Sequence, residues 1–367
     1  MILRSSQGIA PGTLVAVYDR SGRPFGAGLW NPRARVPLRV LYHGDEAFQE
    51  SQLIQLIDRA IDLRLGALDL PTFTDAFRVI NSDGDGLSGL VIDRFGPLLS
   101  IQVHSLGIAQ RLRGWLPRIH ERLGTKEAVI TVDPGIARLE GITPSMLPPS
   151  DRTYPIKIKE HGVRFEVDLE SGHKTGFFCD QRENRRRLSR YTADKRVVDL
   201  CCYTGGFALA AKVMGKAAEV TGVDLDEAAI AQAKRNANIN TARVDWVHCD
   251  AYSYARQLRK NGEKFGVVIL DPPKFVFTAD DEAEGFTRYE DLNSLGVVIT
   301  EPGGLLVTCS CSGRVSAHDF EQLVIRSAHR VGRRLQFLEQ TGAAEDHPVM
   351  SNCLESRYLK VLWARVW

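Results

Sequence analysis

Four aspartates stand at the ends of predicted buried strands in the C-terminal half of the chain. The strand runs are V-V-D-L, E-V-T-G-V-D, V-D-W-V-H-C-D and V-V-I-L-D, and the acids are Asp199, Asp224, Asp250 and Asp271. Ligands of open parallel sheets bind outside the carboxyl ends of the strands, so we expect these carboxylates to lie together. A lone aspartate at such a place is often a helix N-cap, but four in register favour a ligand site.

The loop after the first of these strands has the composition of a cofactor loop. It reads C-C-Y-T-G-G-F and ends at Phe207. Gly205 and Gly206 allow a sharp turn and a close approach to a ligand, and the following helix start offers free N–H groups. Asp224 lies about twenty residues further on, where an acid binds a ribose diol in nucleoside-cofactor folds, and Asp250 could accept the amine of adenine. NAD and S-adenosylmethionine both carry a ribose, but the loop lacks the G-x-G-x-x-G fingerprint of NAD sites.

The next two strands end in residues that suit work on a nucleobase. Asp271 opens D-P-P-K, in which two prolines stiffen the loop and hold its carbonyls and carboxylate toward a flat, hydrogen-bonding substrate. Cys309 and Cys311 follow near the end of the fifth strand, where strand alternation points them the same way. A free cysteine is most often a small buried apolar residue, so the thiols alone do not establish a nucleophile.

The elements that must position these residues fall into four segments. Residues 1–43 alternate like short strands of a small β domain, 44–70 carry the apolar stripe of one connecting helix, 71–170 form a central α+β domain, and 171–367 form a doubly wound α/β domain. Asn81, Asp83, Asp85 and Gly86 resemble the first half of a calcium loop. The twelfth position is Ile92, where a calcium loop needs a bidentate glutamate.

Composition limits the classes of protein that remain. The 367 residues are 44% hydrophobic and 25% charged, which allows several cores. A long apolar run and a secretory pattern are both missing from the sequence, so we expect a cytoplasmic protein without membrane insertion. Seven cysteines without a C-x-x-C pair argue against a disulfide framework, a zinc ribbon and a four-cysteine cluster, and we expect no metal site.

Charge is clustered locally, although the net charge is only +2. Arginines concentrate in two clusters, and we expect some of these side chains to contact RNA phosphates. The clusters are Arg182, Arg185, Arg186, Arg187 and Arg190, and Arg326, Arg330, Arg333 and Arg334. An acidic run, Asp280 to Glu284, follows the D-P-P-K-F loop and is interpreted as a mobile lid or a solvated loop.

Six motifs together resemble one family over nearly the whole chain. They are S-G-H-K-T-G-F-F-C-D-Q-R-E-N-R from Ser171, D-L-C-C-Y-T-G-G-F, D-P-P-K-F, R-Y-E-D-L-N from Arg288, T-C-S-C-S-G from Thr308, and D-H-P with E-S-R-Y-L-K. The family is that of bacterial 23S ribosomal RNA cytosine-C5 methyltransferases of the RlmI/YccW type. The resemblance implies an N-terminal PUA domain, a central α+β domain and a class I methyltransferase domain. Family PUA domains usually have further residues before the P-G-T-L-V-A-V strand, so we expect an incomplete one here.

The resemblance also implies S-adenosylmethionine as cofactor and 23S ribosomal RNA as partner, and it leaves a homodimer open. The methionine part would be held by the K-T-G-F-F-C-D-Q segment and the glycine loop, the ribose by Asp224 and the adenine by Asp250. The implied contacts are Lys174, Phe177, Phe178, Asp180, Gln181, Asp199, Tyr203, Thr204, Gly205, Gly206, Phe207, Asp224, Leu225, Asp250 and Ala251.

By the same resemblance Cys311 is the nucleophile, with Cys309 as its competitor. A thiolate that adds to C6 of cytosine makes C5 nucleophilic, and loss of the C5 proton then expels the thiol. Asp271 would bind N3 or the amino group and stabilise the developing charge. Many RNA cytosine-C5 enzymes have a second cysteine where this chain has Lys274, so Lys274 or a water is the expected base, and Lys274 could equally contact a phosphate.

Three other readings of the sequence remain open. Methylation of a guanine nitrogen also uses D-P-P loops and needs no cysteine, so trapping on 5-fluorocytosine RNA distinguishes it. A non-catalytic RNA-binding or assembly factor would keep its role after Cys311→Ala. A NAD-dependent oxidoreductase is disfavoured by the missing fingerprint.

Overall fold

Four β-sheets organise the part of the chain that this computed structural model describes, which is residues 6–151, 154–169 and 176–367. The chain divides into two units. The first comprises the described residues of Met1–Ile158, Val167–Cys179 and Glu345–Ser356, and the second comprises Lys159–Glu166, Asp180–Ala344 and Arg357–Trp367. The four segment boundaries expected from the sequence stay a prediction.

The first unit contains a three-stranded antiparallel sheet and a four-stranded sheet. Its elements are β1 (Leu14–Tyr18), β2 (Pro24–Trp30), β3 (Leu38–His43), α1 (Glu50–Asp62), β4 (Ala76–Asn81), β5 (Leu90–Phe95), β6 (Leu98–Val103), α2 (Leu106–Leu123), β7 (Glu127–Thr131) and α3 (Pro134–Glu140). A two-stranded hairpin follows, with β8 (Ile156–Glu160) and β9 (Val163–Val167). Only β6 and β7, which α2 connects, pair in parallel among the described strands of this unit's two sheets.

Helix α1 is part of the core of the first unit and not only a connector. Its apolar residues recur at helical spacing, and Leu53, Ile57 and Ile61 are fully buried. They belong to one hydrophobic cluster with Ile80 and Ile101 of the four-stranded sheet. The stripe expected for residues 44–70 therefore stabilises the unit by burial.

The second unit is a seven-stranded sheet with helices between the strands. Its elements are α4 (Arg182–Leu188), β10 (Arg196–Leu200), α5 (Gly206–Leu209), β11 (Glu219–Asp224), α6 (Glu227–Ile239), β12 (Asp245–His248), α7 (Ala251–Asn261), β13 (Phe265–Leu270), α8 (Glu282–Ile299), β14 (Thr300–Ser310), α9 (Ala317–Arg330), β15 (Leu335–Thr341) and β16 (Lys360–Val366). The strand order is β12-β11-β10-β13-β14-β16-β15. β16 pairs antiparallel with both β14 and β15, and the other adjacent strands pair in parallel.

The strand order reverses between β10 and β13, and this position opens a crevice at the carboxyl ends of the strands. Asp199 in β10 and Asp271 directly after β13 flank the crevice. β13 reads F-G-V-V-I-L and is buried throughout, as a central parallel strand should be. β12 ends at His248, two residues before Asp250, so that acid caps a helix instead of ending a strand.

The acidic run after the D-P-P-K-F loop extends into a helix, whereas the sequence predicted a mobile lid or solvated loop. Asp281 accepts hydrogen bonds from the backbone N–H groups of Phe277 (3.2 Å) and Thr278 (2.7 Å). Glu282 and Glu284 lie in the first turn of α8, where negative charge is favourable next to the helix N-terminus. No helix in the described part of the chain is long and apolar enough to cross a membrane.

Candidate active site

The glycine loop between β10 and α5 has an unusual backbone. Cys201, Tyr203 and Gly205 have φ angles of 70°, 49° and 88°. Positive φ is strained for cysteine and tyrosine, and such strain persists only where surrounding contacts hold it. Those contacts come from β11: Tyr203 N donates to Asp224 Oδ2 (2.7 Å), and Cys202 N donates to the Val223 carbonyl (2.9 Å).

The two glycines of this loop are also required by packing within the protein. A Cβ on Gly205 would lie 2.5 Å from the Trp246 ring, and a Cβ on Gly206 would lie 3.1 Å from Arg185 Cδ. Asn236, which is fully buried, fixes the same loop by donating to the Thr204 carbonyl (3.0 Å). The sequence interpretation explained the glycines by a sharp turn and a close approach to a ligand, and the structure adds packing within the protein as a further reason.

The acids at the strand ends form one electrostatic cluster. Burial raises the pKa of Asp199 well above its usual value, and the nearby Asp271 and Asp224 raise it further. The Cys201 thiol, whose pKa is raised by burial, is also affected by Asp224, Asp271, Asp199 and Asp250. The carboxylates that the spacing argument expected to lie together are therefore electrostatically coupled, and a cationic ligand would favour their charged forms.

Two carboxylate oxygens in this unit are buried without a hydrogen-bond donor among the described residues. They are Asp199 Oδ1 and Asp180 Oδ1. The other carboxylate oxygen of each residue has a hydrogen-bond donor. Asp199 Oδ2 accepts from Ala208 N (3.1 Å), and Asp180 Oδ2 accepts from the Tyr358 hydroxyl. Buried carboxylate oxygens normally have partners, so these two positions fit a ligand that brings N–H donors.

Asp224 and Asp250 already use oxygens within the protein. Asp224 accepts from Tyr203 N and Asp226 N, and Asp250 Oδ1 caps α7 by accepting from the backbone N and the hydroxyl of Ser253 at 2.9 Å each. The capping role considered for a lone aspartate is thus the one that Asp250 fills. Leu225, beside Asp224, is 66% exposed, and Ala251 is buried at the start of α7.

Asp271 is the strand-end acid most strongly linked to the cysteines. Gln181 Nε2 donates to Asp271 Oδ2 (3.1 Å) and lies 3.6 Å from Cys309 Sγ. Burial and the neighbouring Asp180 raise the pKa of Asp271 to about 7. A carboxyl with this pKa is available at neutral pH both as an acid and as a base.

Cys309 and Cys311 differ in exposure although both contact the same hydrophobic cluster. Cys309 lies inside β14 and is fully buried, and burial raises the pKa of its thiol well above the usual value. Cys311 comes one residue after β14 ends and is partly exposed. Of the two sulfurs, Cys311 is therefore the more accessible to a substrate.

A buried tyrosine holds the turn that carries Cys311. The Tyr289 hydroxyl lies 3.1 Å from Ser310 Oγ and 3.0 Å from Ser312 Oγ, the hydroxyls on either side of the cysteine. Val276 N, in the loop after Asp271, donates to Ser312 Oγ (3.3 Å). These bonds connect the R-Y-E-D-L-N, T-C-S-C-S-G and D-P-P-K-F motifs, whose physical link the sequence alone did not reveal.

Lys274 and Phe277 extend from the same loop. The Lys274 ammonium lies 5.2 Å from the Phe277 ring centroid, and Phe277 is 66% exposed.

Three cofactor residues predicted from sequence are not placed at this site. Lys174 lies outside the described residues, and Phe177 and Phe178 belong to the first unit, so their contribution stays a prediction.

Two arginines of the first cluster are not surface residues, and RNA contacts by the others stay a prediction. Arg182 is fully buried, and Arg185 makes a buried bidentate ion pair with Glu160, in which both N···O distances are 2.7 Å. In the second cluster Arg326 and Arg330 are paired with acids of α8. Neither the burial nor the acidic partners can be seen in a run of arginines.

Comparisons with known proteins agree with this architecture. Residues 150–362 match the family model of the S-adenosylmethionine-dependent methyltransferase, and residues 1–43 match that of the PUA-like domain. The chain is 33% identical to Ribosomal RNA large subunit methyltransferase I of Klebsiella pneumoniae subsp. pneumoniae, over 97% of this chain and 90% of that protein.

Solved structures with the same fold include a candidate SAM-dependent methyltransferase from Streptococcus mutans (TM-score 0.79, 21% identity, 97% and 92% of the two chains). Another is a candidate methyltransferase complexed with SAH (TM-score 0.81, 21% identity, 97% and 92% of the two chains). The fold class expected from the sequence is confirmed by these matches and the strand order.

Proposed function

Because the chain belongs to the S-adenosylmethionine-dependent methyltransferase family, we propose that it methylates C5 of a cytosine in 23S ribosomal RNA. The name of the Klebsiella relative supports large-subunit ribosomal RNA as the substrate. The observation that carries the choice of atom is the partly exposed Cys311 beside Cys309, which in turn contacts Asp271.

The donor set of the second unit fits S-adenosylmethionine. Asp224 is suited to the ribose, and Leu225 and Asp250 are suited to the adenine face and edge. The unpaired oxygens of Asp199 and Asp180 would accept from the ammonium of the methionine part. The cofactor supplies an electrophilic methyl group.

Residues of the chain make cytosine reactive toward that group. The Cys311 thiolate attacks C6, forms a C–S bond and leaves C5 electron-rich. Asp271, protonated at and below its pKa of about 7, donates a hydrogen bond to N3 and stabilises the charge that develops on the ring. After C5 gains the methyl group, Lys274 or a water takes the C5 proton, and the electron pair of that bond expels the thiolate.

The test uses unmodified ribosomal RNA, labelled S-adenosylmethionine and mapping of the product base, with the parent protein, Cys311→Ala and Cys309→Ala compared. We expect 5-methylcytosine from the parent, loss of at least about a thousandfold in rate for Cys311→Ala, and substantial activity for Cys309→Ala. RNA containing 5-fluorocytosine should form a covalent adduct with the parent protein, and Cys311 should be the only residue attached to the RNA. Methylated guanine as product, or full activity of Cys311→Ala, would contradict the proposal.

A further inference from the structure

Lys360, at the start of β16, is a buried cation at the base of the turn that carries Cys311. Only 5% of the residue is exposed. Its Nζ donates to the Ser312 carbonyl (2.6 Å) and to the Tyr358 carbonyl (2.8 Å). Because Lys360 pairs with Ser310 across the antiparallel β14–β16 ladder, the backbone register fixes it opposite the residue before Cys311.

Two carbonyl oxygens do not neutralise an ammonium ion, and a buried charge normally has an anionic partner. Cys311 lies between Ser310, which pairs with Lys360, and Ser312, whose carbonyl accepts from the Lys360 ammonium. Cys311 raises the pKa of Lys360, whereas Lys274 lowers it. Tyr289 of α8 and Cys309 of β14 are titratable groups that also face Cys311 in the described part of the chain. Lys360 adds a buried positive charge to this group.

We propose that Lys360 is a positioning residue whose ammonium stabilises the Cys311 thiolate and whose N–H groups fix the turn that carries it. This inference rests on the proposed function, because it explains how the thiol becomes a nucleophile at neutral pH. A thiolate next to a lysine ammonium is stabilised, and its proton is released to solvent at lower pH.

The state of Lys360 itself fits this role. Burial and the neighbouring Lys274 lower its pKa to about 8, while Cys311 acts in the opposite direction. The side chain remains largely cationic at pH 7. Lys360 can therefore support a thiolate at neutral pH, but this support weakens as the pH rises above about 8.

The experiment measures the alkylation of Cys311 by iodoacetamide against pH, quantified by peptide mass spectrometry. The parent is compared with Lys360→Met, which keeps the packing volume, with Lys360→Gln, which keeps an N–H donor, and with Lys360→Arg, which keeps the charge. Cys353 in the first unit, also partly exposed, is the internal control in every sample.

We expect the alkylation midpoint of Cys311 to rise by about one pH unit or more in Lys360→Met and Lys360→Gln, so that its rate at pH 7 falls about tenfold. Lys360→Arg should keep a midpoint near that of the parent, and Cys353 should not change in any variant. A role limited to holding the turn would lower the limiting rate at high pH and leave the midpoint unchanged.

An unchanged midpoint in both neutral variants would overturn the inference, even if Cys311 methylates RNA as proposed. Conversely, a shifted midpoint in a protein that does not form 5-methylcytosine would leave the thiolate stabilisation standing and overturn the proposed function alone. Should Lys360→Met fail to fold, Lys360→Gln and Lys360→Arg still separate charge from hydrogen bonding.

Discussion

Asp271 shows how a single buried acid makes the stability of the second unit depend on pH. Burial and the nearby Asp180 disfavour the charged form of its carboxyl, whereas the hydrogen bond from the Gln181 side-chain amide favours it. The folded pKa of about 7 lies above the ordinary value of 3.8. Asp271 therefore favours the folded state most at low pH, and this contribution is lost as the pH rises from about 4 to about 7.

We expect Asp271→Asn to stabilise the second unit at pH 8, because the amide never has to ionise in the buried site. The gain should be on the order of 2 kcal/mol at pH 8 and should shrink toward pH 5, whereas methylation should be lost. Thermal unfolding followed by circular dichroism at pH 5 to 8 measures the first effect, and RNA methylation measures the second.

Asp250→Asn is the matched control, because an asparagine caps a helix about as well as an aspartate and should give no comparable gain. If Asp271→Asn lowers the melting temperature at pH 8, the raised pKa of Asp271 is wrong.

Sequence reasoning located the strand-end acids because hydrophobic runs followed by Asp recur in the chain. It could not separate the buried Arg185 from the exposed Arg186, since burial depends on Glu160, which lies on another element. It also named Cys311 only by resemblance. Cys311 is accessible because β14 ends at Ser310. A hydrophobic pattern does not define the end of a strand to one residue, so this accessibility could not be predicted.

At the scale of elements, α8 supports the turn that carries Cys311 through the side chain of Tyr289. The Tyr289 hydroxyl connects the two serines that flank Cys311, and the ring is fully buried beside Phe275 and Phe320. A hydroxyl shared in this way limits the movement of the turn, so the position of the thiol depends on a helix that does not contain it.

Removing this hydroxyl in Tyr289→Phe should lower the kcat of methylation about tenfold or more, because the turn loses its fixed position. Unfolding free energy should fall by about 1–2 kcal/mol, as expected for lost buried hydrogen bonds. Steady-state kinetics and chemical denaturation measure these effects, and calorimetry should give an unchanged affinity for S-adenosylmethionine.

Tyr252→Phe on α7 provides the comparison, since the Tyr252 hydroxyl donates to the Arg288 carbonyl (2.9 Å) and, among the described residues, bonds neither Ser310 nor Ser312. Equal losses of kcat in the two variants would show that Tyr289 acts only through general stability.

The order of the strands and helices along the chain was largely predictable from the sequence. Which strands lie next to each other in the sheet was not. Periodicity identified β10, β11, β13 and most of β14, together with the helices between them. The position of β16 between β14 and β15 was not predictable, because K-V-L-W-A-R-V is a buried apolar run that suits either strand direction.

Considered as a whole, the first unit is assembled from distant parts of the sequence. Arg64, fully buried, makes a bidentate ion pair with Asp85 (2.6 and 2.9 Å) and donates to the Asp346 carbonyl (2.6 Å). Asp346 Oδ2 in turn accepts from Arg78 N (2.9 Å). The acids that resembled a calcium loop therefore include the partner of a buried arginine, and the D-H-P motif belongs to the first unit.

Replacing Arg64 by Met should lower the stability of the first unit by about 3–5 kcal/mol, because Asp85 would be left as an uncompensated buried charge. Limited proteolysis and thermal unfolding should both report the loss.

Arg23→Met is the control, since Arg23 forms an exposed pair with Asp19 and its removal should cost less than about 0.5 kcal/mol. A first unit that melts at the parental temperature in Arg64→Met would refute a structural role for this ion pair.

The contribution of Glu345–Ser356 to the first unit has a consequence for biosynthesis. On the translating ribosome, the N-terminal portion emerges long before Asp346 is made, so Arg64 and Asp85 wait many seconds for their last partner. A nascent chain in this interval is exposed to chaperones and proteases. Premature termination before the D-H-P motif would release a polypeptide that cannot complete the fold of the first unit.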